Sequence, residues 1–372
     1  MHITFFALLS LILPLQTMCM QEDPQLPEPS MRLQSLFASA CEVLDTKNDI
    51  REICWNPQGT RLAVACDHMR PFIIDTTTPK NTTSKIEVDE AYFEGWGNNI
   101  QRLDWNCSGK ILALGALNQD VLIYDTDRKH IEHVIPIKLD LYQGLGPYHG
   151  TTGCPSLAWS PEDPTQLMAC HNGIICTYSI AEDGSEMQLL SRKKINAGYP
   201  TRAAWNMHTS AMAYRFMALF QQTKSTKGKI QSIPFHPNSP DDSMCSRAIA
   251  CHPEKTIIAC GFDAGNPVWG IKGPRGMLVL YDTKKKKIIA QKKLAKDYFI
   301  PDLSFNKDGT LLTAAHAYGY VTLDAETLEE IHIHDMGTAT CCEQVQWNPR
   351  QEKIAFANYG KLFITGDFET DD

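Results

Sequence analysis

Few residues in this chain are spaced for chemistry. The pentad "IHIHD" sets His332 and His334 two apart, on one face of a strand, with Ile331 and Ile333 on the other. Two imidazoles at that spacing can share a metal, yet a zinc site needs a third and a fourth ligand. The expected reading is therefore a solvated face of an outer strand. The run "DTKKKKIIAQKK" (282–293) could meet nucleic acid or anionic lipid, but it follows a strand-like segment and reads as a solvated hairpin. "GIKGPRG" (270–276) lacks the spacing and the following helix of a nucleotide loop. Metal-hydrolase helix, Cys-x-x-Cys and nucleophile-elbow motifs do not occur. No cofactor is expected.

Bulk properties exclude more than they select. The chain has 372 residues, 43% of them hydrophobic, and a net charge of −8. That acidity argues against nucleic-acid binding, which needs many phosphate-neutralising Lys and Arg. The apolar run 3–15 is too short to span a bilayer comfortably and reads as a signal peptide over residues 1–20, although its n-region has no Lys or Arg. No other stretch reads as a membrane span. A Pro-rich acidic linker over 21–34 follows. A secretory location is the expectation, with an intracellular one as the alternative. The 13 cysteines favour the alternative. Cys66, Cys170 and Cys260 sit at equivalent places in separated units, too far apart to pair, and read as buried small hydrophobes. Cys245 and Cys251 are a candidate pair. Asn81 and Asn106 head glycosylation sequons.

The elements that must position any site come from a repeat. "WNPQGTRLAVACD" (55–67), "WNCSGKILALGALN" (105–118) and "WNPRQEKIAFANYG" (347–360) are near copies, and weaker ones place anchors at Trp159, Trp205, Cys251 and Phe305. Each anchor closes a short strand. A Pro/Asn/Gly turn follows, then an apolar strand rich in small residues, a third strand often ending in Asp, and a polar fourth such as "KIEV" or "HIEHVIPI". Short β-runs between turn signals argue for antiparallel meanders.

This pattern resembles the WD-repeat β-propeller family, with Tyr124-Asp125 and Tyr281-Asp282 where that family usually has Trp-Asp. The resemblance covers almost everything after residue 45. It implies an all-β, seven-bladed β-propeller of four-stranded antiparallel blades over residues 35–372. The Gly-His pair that usually precedes each repeat is missing, so the family's polar tetrad is expected to be incomplete. The last unit supplies only three strands. Ser35–Val43 is expected to close the ring as its outer strand, since an open edge would invite pairing with other chains.

Two functions fit. The resemblance implies a non-catalytic protein-interaction platform that can serve as one subunit of a larger complex. The alternative is a secreted, metal-assisted hydrolase working in the central channel. The inner-strand openings hold Glu52, Arg102, Ser156, Arg202, Ala248, Asp302 and Gln344, a mixed ring and not a cage of ligands. In a meander, the loops entering first strands share a face with those joining second and third strands. That face would carry Trp96, Tyr148, Tyr199 and Trp269 in loops, with Arg51, Arg102, Arg202 and Arg247 at strand openings. Trp, Tyr and Arg dominate interface hot spots. These eight residues are the expected contact set for a protein or peptide partner of acidic character, with no nucleic acid and no stable membrane insertion.

Overall fold

The computed structural model describes residues 40–78, 82–89, 100–117, 120–136, 156–171, 174–194, 200–214, 217–222, 230–232, 244–264, 276–294, 299–336 and 342–366. Their strands form an all-β propeller of four-stranded antiparallel blades. After β1 (Ala40–Asp45), the first sheet contains β2 (Ile50–Trp55), β3 (Arg61–Cys66), β4 (Phe72–Asp75) and β5 (Thr82–Lys85). The second has β6 (Ile100–Trp105), β7 (Ile111–Ala116), β8 (Asp120–Asp125) and β9 (His130–Pro136). β10 (Ser156–Trp159), β11 (Gln166–His171), β12 (Ile174–Ile180) and β13 (Met187–Lys194) make the third. In the fourth are β14 (Pro200–Trp205), β15 (Thr209–Tyr214), β16 (Met217–Gln222) and β17 (Gln231–Ser232). The fifth holds β18 (Met244–Cys251), β19 (Ile257–Ala264), β20 (Met277–Asp282) and β21 (Lys287–Lys293). The sixth holds β22 (Leu303–Phe305), β23 (Leu311–His316), β24 (Gly319–Asp324) and β25 (Glu330–Asp335). The last sheet is β26 (Cys342–Trp347), β27 (Ile354–Asn358) and β28 (Lys361–Thr365), with β1 at its outer edge.

The repeated phrase is a packing device. Most first strands end in a large aromatic side chain turned back onto the preceding sheet; β18 ends in Cys251. Trp105 lies with Ala63 and Ala65 of β3, and Trp159 with Ala113 of β7. Trp55 lies with Ala355 and Ala357 of β27. Small second-strand residues leave the room that an indole fills. A buried aromatic removes about 150–250 Å² from water, on the order of 4–6 kcal/mol gross. Two of the indole nitrogens also bond backwards: Trp105 Nε1 donates to the Cys54 carbonyl at 3.0 Å, and Trp347 Nε1 to Thr313 Oγ1 at 2.8 Å.

The Asn after the anchor caps the turn. Asn56 Oδ1 accepts from the Thr60 and Arg61 amides, and Asn106 Oδ1 from those of Lys110 and Ile111. Where the repeat has His252, its Nδ1 accepts from Glu254 N and Lys255 N. The turn glycines take a left-handed backbone and lie under a side chain of the previous turn. A Cβ at Gly309 (φ +72°) would stand 2.3 Å from the His252 ring, and one at Gly59 (φ +68°) 2.2 Å from Asn348 Oδ1. The Asp ending the third strand caps the next hairpin: Asp125 Oδ1 accepts from Asp127 N and Arg128 N, and Asp282 Oδ1 from Lys284 N and Lys285 N. The lysine run thus crosses a turn between β20 and β21, as its sequence implies.

Several expectations need adjustment. The outer strand expected over 35–43 is described over 40–45, pairing Ala40 with Thr365 and Asp45 with Lys361; residues 35–39 lie outside the described set. In the first sheet the fourth strand is Thr82–Lys85, and Ile86 and Val88 of "KIEV" are buried beyond its end. The histidine face is reversed. A bulge in the β24–β25 ladder puts Ile333 in solvent at 52% exposure, and His334 stacks on Tyr320 with ring centroids 5.0 Å apart. His332 is likewise half-buried beside Tyr320, and burial pushes its pKa down to about 4. Cys66, Cys170 and Cys260 are fully buried, as expected. Cys251 is free, so the Cys245–Cys251 pair does not form.

Candidate functional site: the axial channel and its rim

The first strands of successive sheets pack side by side around an axis, and β26 packs against β2. Near their openings most carry a β-bulge. The register skips Arg51, Gln101, Thr201, Arg247 and Glu343. One extra residue re-aims everything after it. The four arginines that look equivalent in sequence therefore divide. Arg51 and Arg247 are bulge residues, whereas Arg102 and Arg202 stand one place further, in register with Glu52.

Arg202 is the centre of an axial cluster. It is 8% exposed and bonds both carboxylate oxygens of Glu52 through Nη1. Its Nη2 donates to Gln344 Oε1 at 2.5 Å and faces Asp302 Oδ1 at 3.5 Å. Arg102 Nη1 lies 3.4 Å from Glu52 Oε2, and Asp302 Oδ2 accepts from the Val345 amide at 3.1 Å. Two acids and two guanidiniums thus neutralise one another. Burial pushes the Glu52 carboxyl up, against the opposing pull of Arg202 and Arg102. Desolvation works against the Arg202 cation, but Asp302 and Glu52 outweigh it and hold the guanidinium charged.

Arg51 belongs to the rim. It bonds Asp67, which follows β3, and lies 3.2 Å from Glu343 and 3.3 Å from Asp49. The bond to Asp67 comes first in raising its pKa. This contact puts the loop after a second strand beside the opening of a first strand, on one face. The acidic neighbours occupy donors that the sequence reading assigned to a partner, and the same holds for Arg102 and Arg202. Trp96, Tyr148, Tyr199 and Trp269 lie outside the described residues, as does the side chain of Arg247.

Two residues beyond the cluster, the next layer of first-strand side chains is Cys54, Asp104, Ala158, Ala204, Ala250, Ser304 and Gln346. Together with the cluster and the turns after each anchor, it encloses a cavity of about 580 Å³. Among the described residues, Asp104 is its one carboxylate between the cluster and the mouth. Burial pushes the Asp104 pKa up to about 7, opposed by a hydrogen bond from the Trp159 amide. Sequence reasoning passed over Asp104, because it belongs to the anchor phrase ("LDW") and reads as an ordinary strand position.

The fold and its axis define a β-propeller with an ion-paired centre, a WD-repeat-like arrangement. No family model and no curated protein matches the chain. Among solved structures, 1747 chains match, so the fold alone selects no function. One is the structure of U3-55K, with a TM-score of 0.68 and 11% identity over 89% of this chain and 99% of that one. At that identity the likeness speaks for the fold.

Proposed function

We propose that the chain is a non-catalytic protein-interaction platform: a seven-bladed ring, latched by β1 on β28, that docks a protein or peptide partner on the rim of the inner-strand openings. The observation that carries this reading is the axial cluster. The acids and bases at the centre are committed to each other, which suits a rigid support better than a hydrolytic centre. The apolar packing of Trp55, Ile50 and Ile53 against Ala355, Leu362 and Ile364 joins the first sheet to the last and supports the closed ring. Recognition then falls to the rim, where Arg51 keeps 30% of its side chain exposed among acidic neighbours. Trp96, Tyr148, Tyr199 and Trp269 are assigned to that rim from their order in the sequence alone.

The test replaces Arg51, Trp96 and Trp269 together by Ala and leaves Arg102 and Arg202 intact, since those two hold the centre. Capture of the main partner should be lost, with an unchanged thermal melt and with stronger salt sensitivity in the wild type if the partner is acidic. Retained capture, or loss through Gln58 or Lys307 on the opposite turns, overturns the assignment. A secretory location, resting on the apolar run 3–15, is part of the proposal. The intracellular alternative draws support from the six buried cysteines among the described residues.

A further inference from the structure

The charge on Asp104 has no structural task that a neutral side chain could not perform. Its Oδ2 accepts from the Trp159 amide at 2.6 Å, and its Oδ1 from the Cys54 thiol at 3.7 Å; both donors are neutral. The equivalent position in the sixth blade is Ser304, whose hydroxyl accepts from the Trp347 amide at 3.0 Å. A hydroxyl therefore suffices to tie one first strand to the next. The carboxylate of Asp104 is surplus to that job, and it stands in the wall of the 580 Å³ cavity. Among the described residues it makes no ion pair, and the arginines of the cluster serve Glu52 and Asp302.

The space around it is shaped for a slender occupant. Ala158, Ala204 and Ala250 share its layer, so that part of the wall is apolar and leaves room beside the carboxylate. The cluster of Glu52 and Arg202 closes the inner end. Asp104 lies three residues from the turn residue Cys107, about 10 Å along a strand. Lysine and arginine carry one charge at the tip of an apolar stem. We propose that the cavity binds the cationic side chain of a lysine- or arginine-bearing peptide segment, entering from the turn face, with Asp104 as its counter-ion. This site is independent of the rim and lies on the opposite face.

Linkage follows from the same geometry. The titratable and charged groups around Asp104 are Cys54 on β2, whose thiol burial keeps protonated, Glu52, and the paired Arg102 and Arg202, with Lys307 and Arg350 further out in the cavity wall, where Arg350 Nε donates to the Pro57 carbonyl. A cation binds only the ionised carboxylate, so binding releases a proton where Asp104 is protonated. With that carboxyl at about 7, affinity rises toward tenfold per unit as pH increases below 7, and levels off above it.

The experiment is calorimetric titration of the full chain with Nα-acetyl-lysinamide, Nα-acetyl-argininamide and the neutral Nα-acetyl-norleucinamide, at pH 6, 7 and 8. At least one cationic probe should bind saturably and tighten with pH, while the norleucine probe does not bind. Asp104→Asn and Asp104→Ser, which keep the acceptor for Trp159, should lose about tenfold or more, with melts unchanged and rim capture intact. Equal affinity for the neutral probe, a pH-independent affinity, undiminished binding by both variants, or no saturable binding by any probe overturns the proposal.

Discussion

Replacing Arg202 by Met puts the axial cluster to its hardest test. The side chains of Arg202 and Glu52 are 10% and 4% exposed, and Asp302 is 6% exposed. Methionine fills similar space but leaves Glu52 with only Arg102 at 3.4 Å, Asp302 with only neutral amide donors, and the Gln344 oxygen without its guanidinium donor. Removing one partner of a buried pair costs about 3–5 kcal/mol, and an orphaned acceptor adds about 1 kcal/mol. Against a typical total of about 5–15 kcal/mol, that is a large share. Without Arg202 the Glu52 pKa rises further. A carboxyl with a raised folded pKa is penalised fully above that pKa, and the penalty shrinks as pH falls toward its unfolded value near 4.5. The variant should therefore recover part of its deficit in mild acid. Glu52→Gln added to Arg202→Met should restore about half the loss at neutral pH, because one stranded charge is gone. Urea unfolding followed by tryptophan fluorescence gives all these values. A cost under about 1 kcal/mol for Arg202→Met, or a double variant no more stable than the single, would refute the account of the centre.

Other outcomes follow from the blades. Gly309→Ala should cost about 1–2 kcal/mol from its left-handed backbone alone, and more from the His252 contact; adding His252→Ala should return the contact part in thermal melts. His332 has its pKa lowered to about 4, so the stability it holds as a neutral ring is complete above about 6.5 and is lost as pH falls toward 4. His332→Gln should flatten that window in pH-dependent unfolding, and an unaltered profile counts against the packing. Deleting residues 40–45 exposes the β28 edge and should give a lower melting temperature with self-association by light scattering; a synthetic 40–49 peptide should reverse both. Asn106 is fully buried and its amide donates to the Pro164 carbonyl, so any glycosidase-sensitive mass in secreted material should vanish with Asn81→Gln.

Much of the architecture is written in short-range pattern. The Trp-Asn phrase, the small second strand and the Asp-ended third strand are each local, and each has one packing or capping role repeated around the axis. Their spacing therefore dictates meanders, hairpin turns and the need for an extra outer strand. What sequence could not give is anything that turns on a single residue of register. Arg51, Arg102, Arg202 and Arg247 look alike because a β-bulge leaves no residue-type signature, yet one skipped position separates rim from axis. The bulge in β25 likewise turns Ile333 outward and the two histidines inward. The pairing of Arg202 with Glu52 spans 150 residues, and Asp104 meets Trp159 across 55. Such contacts exist only once separate blades share an axis, because burial beside a particular partner, and not residue type, decides whether a charge is held, neutralised or left available.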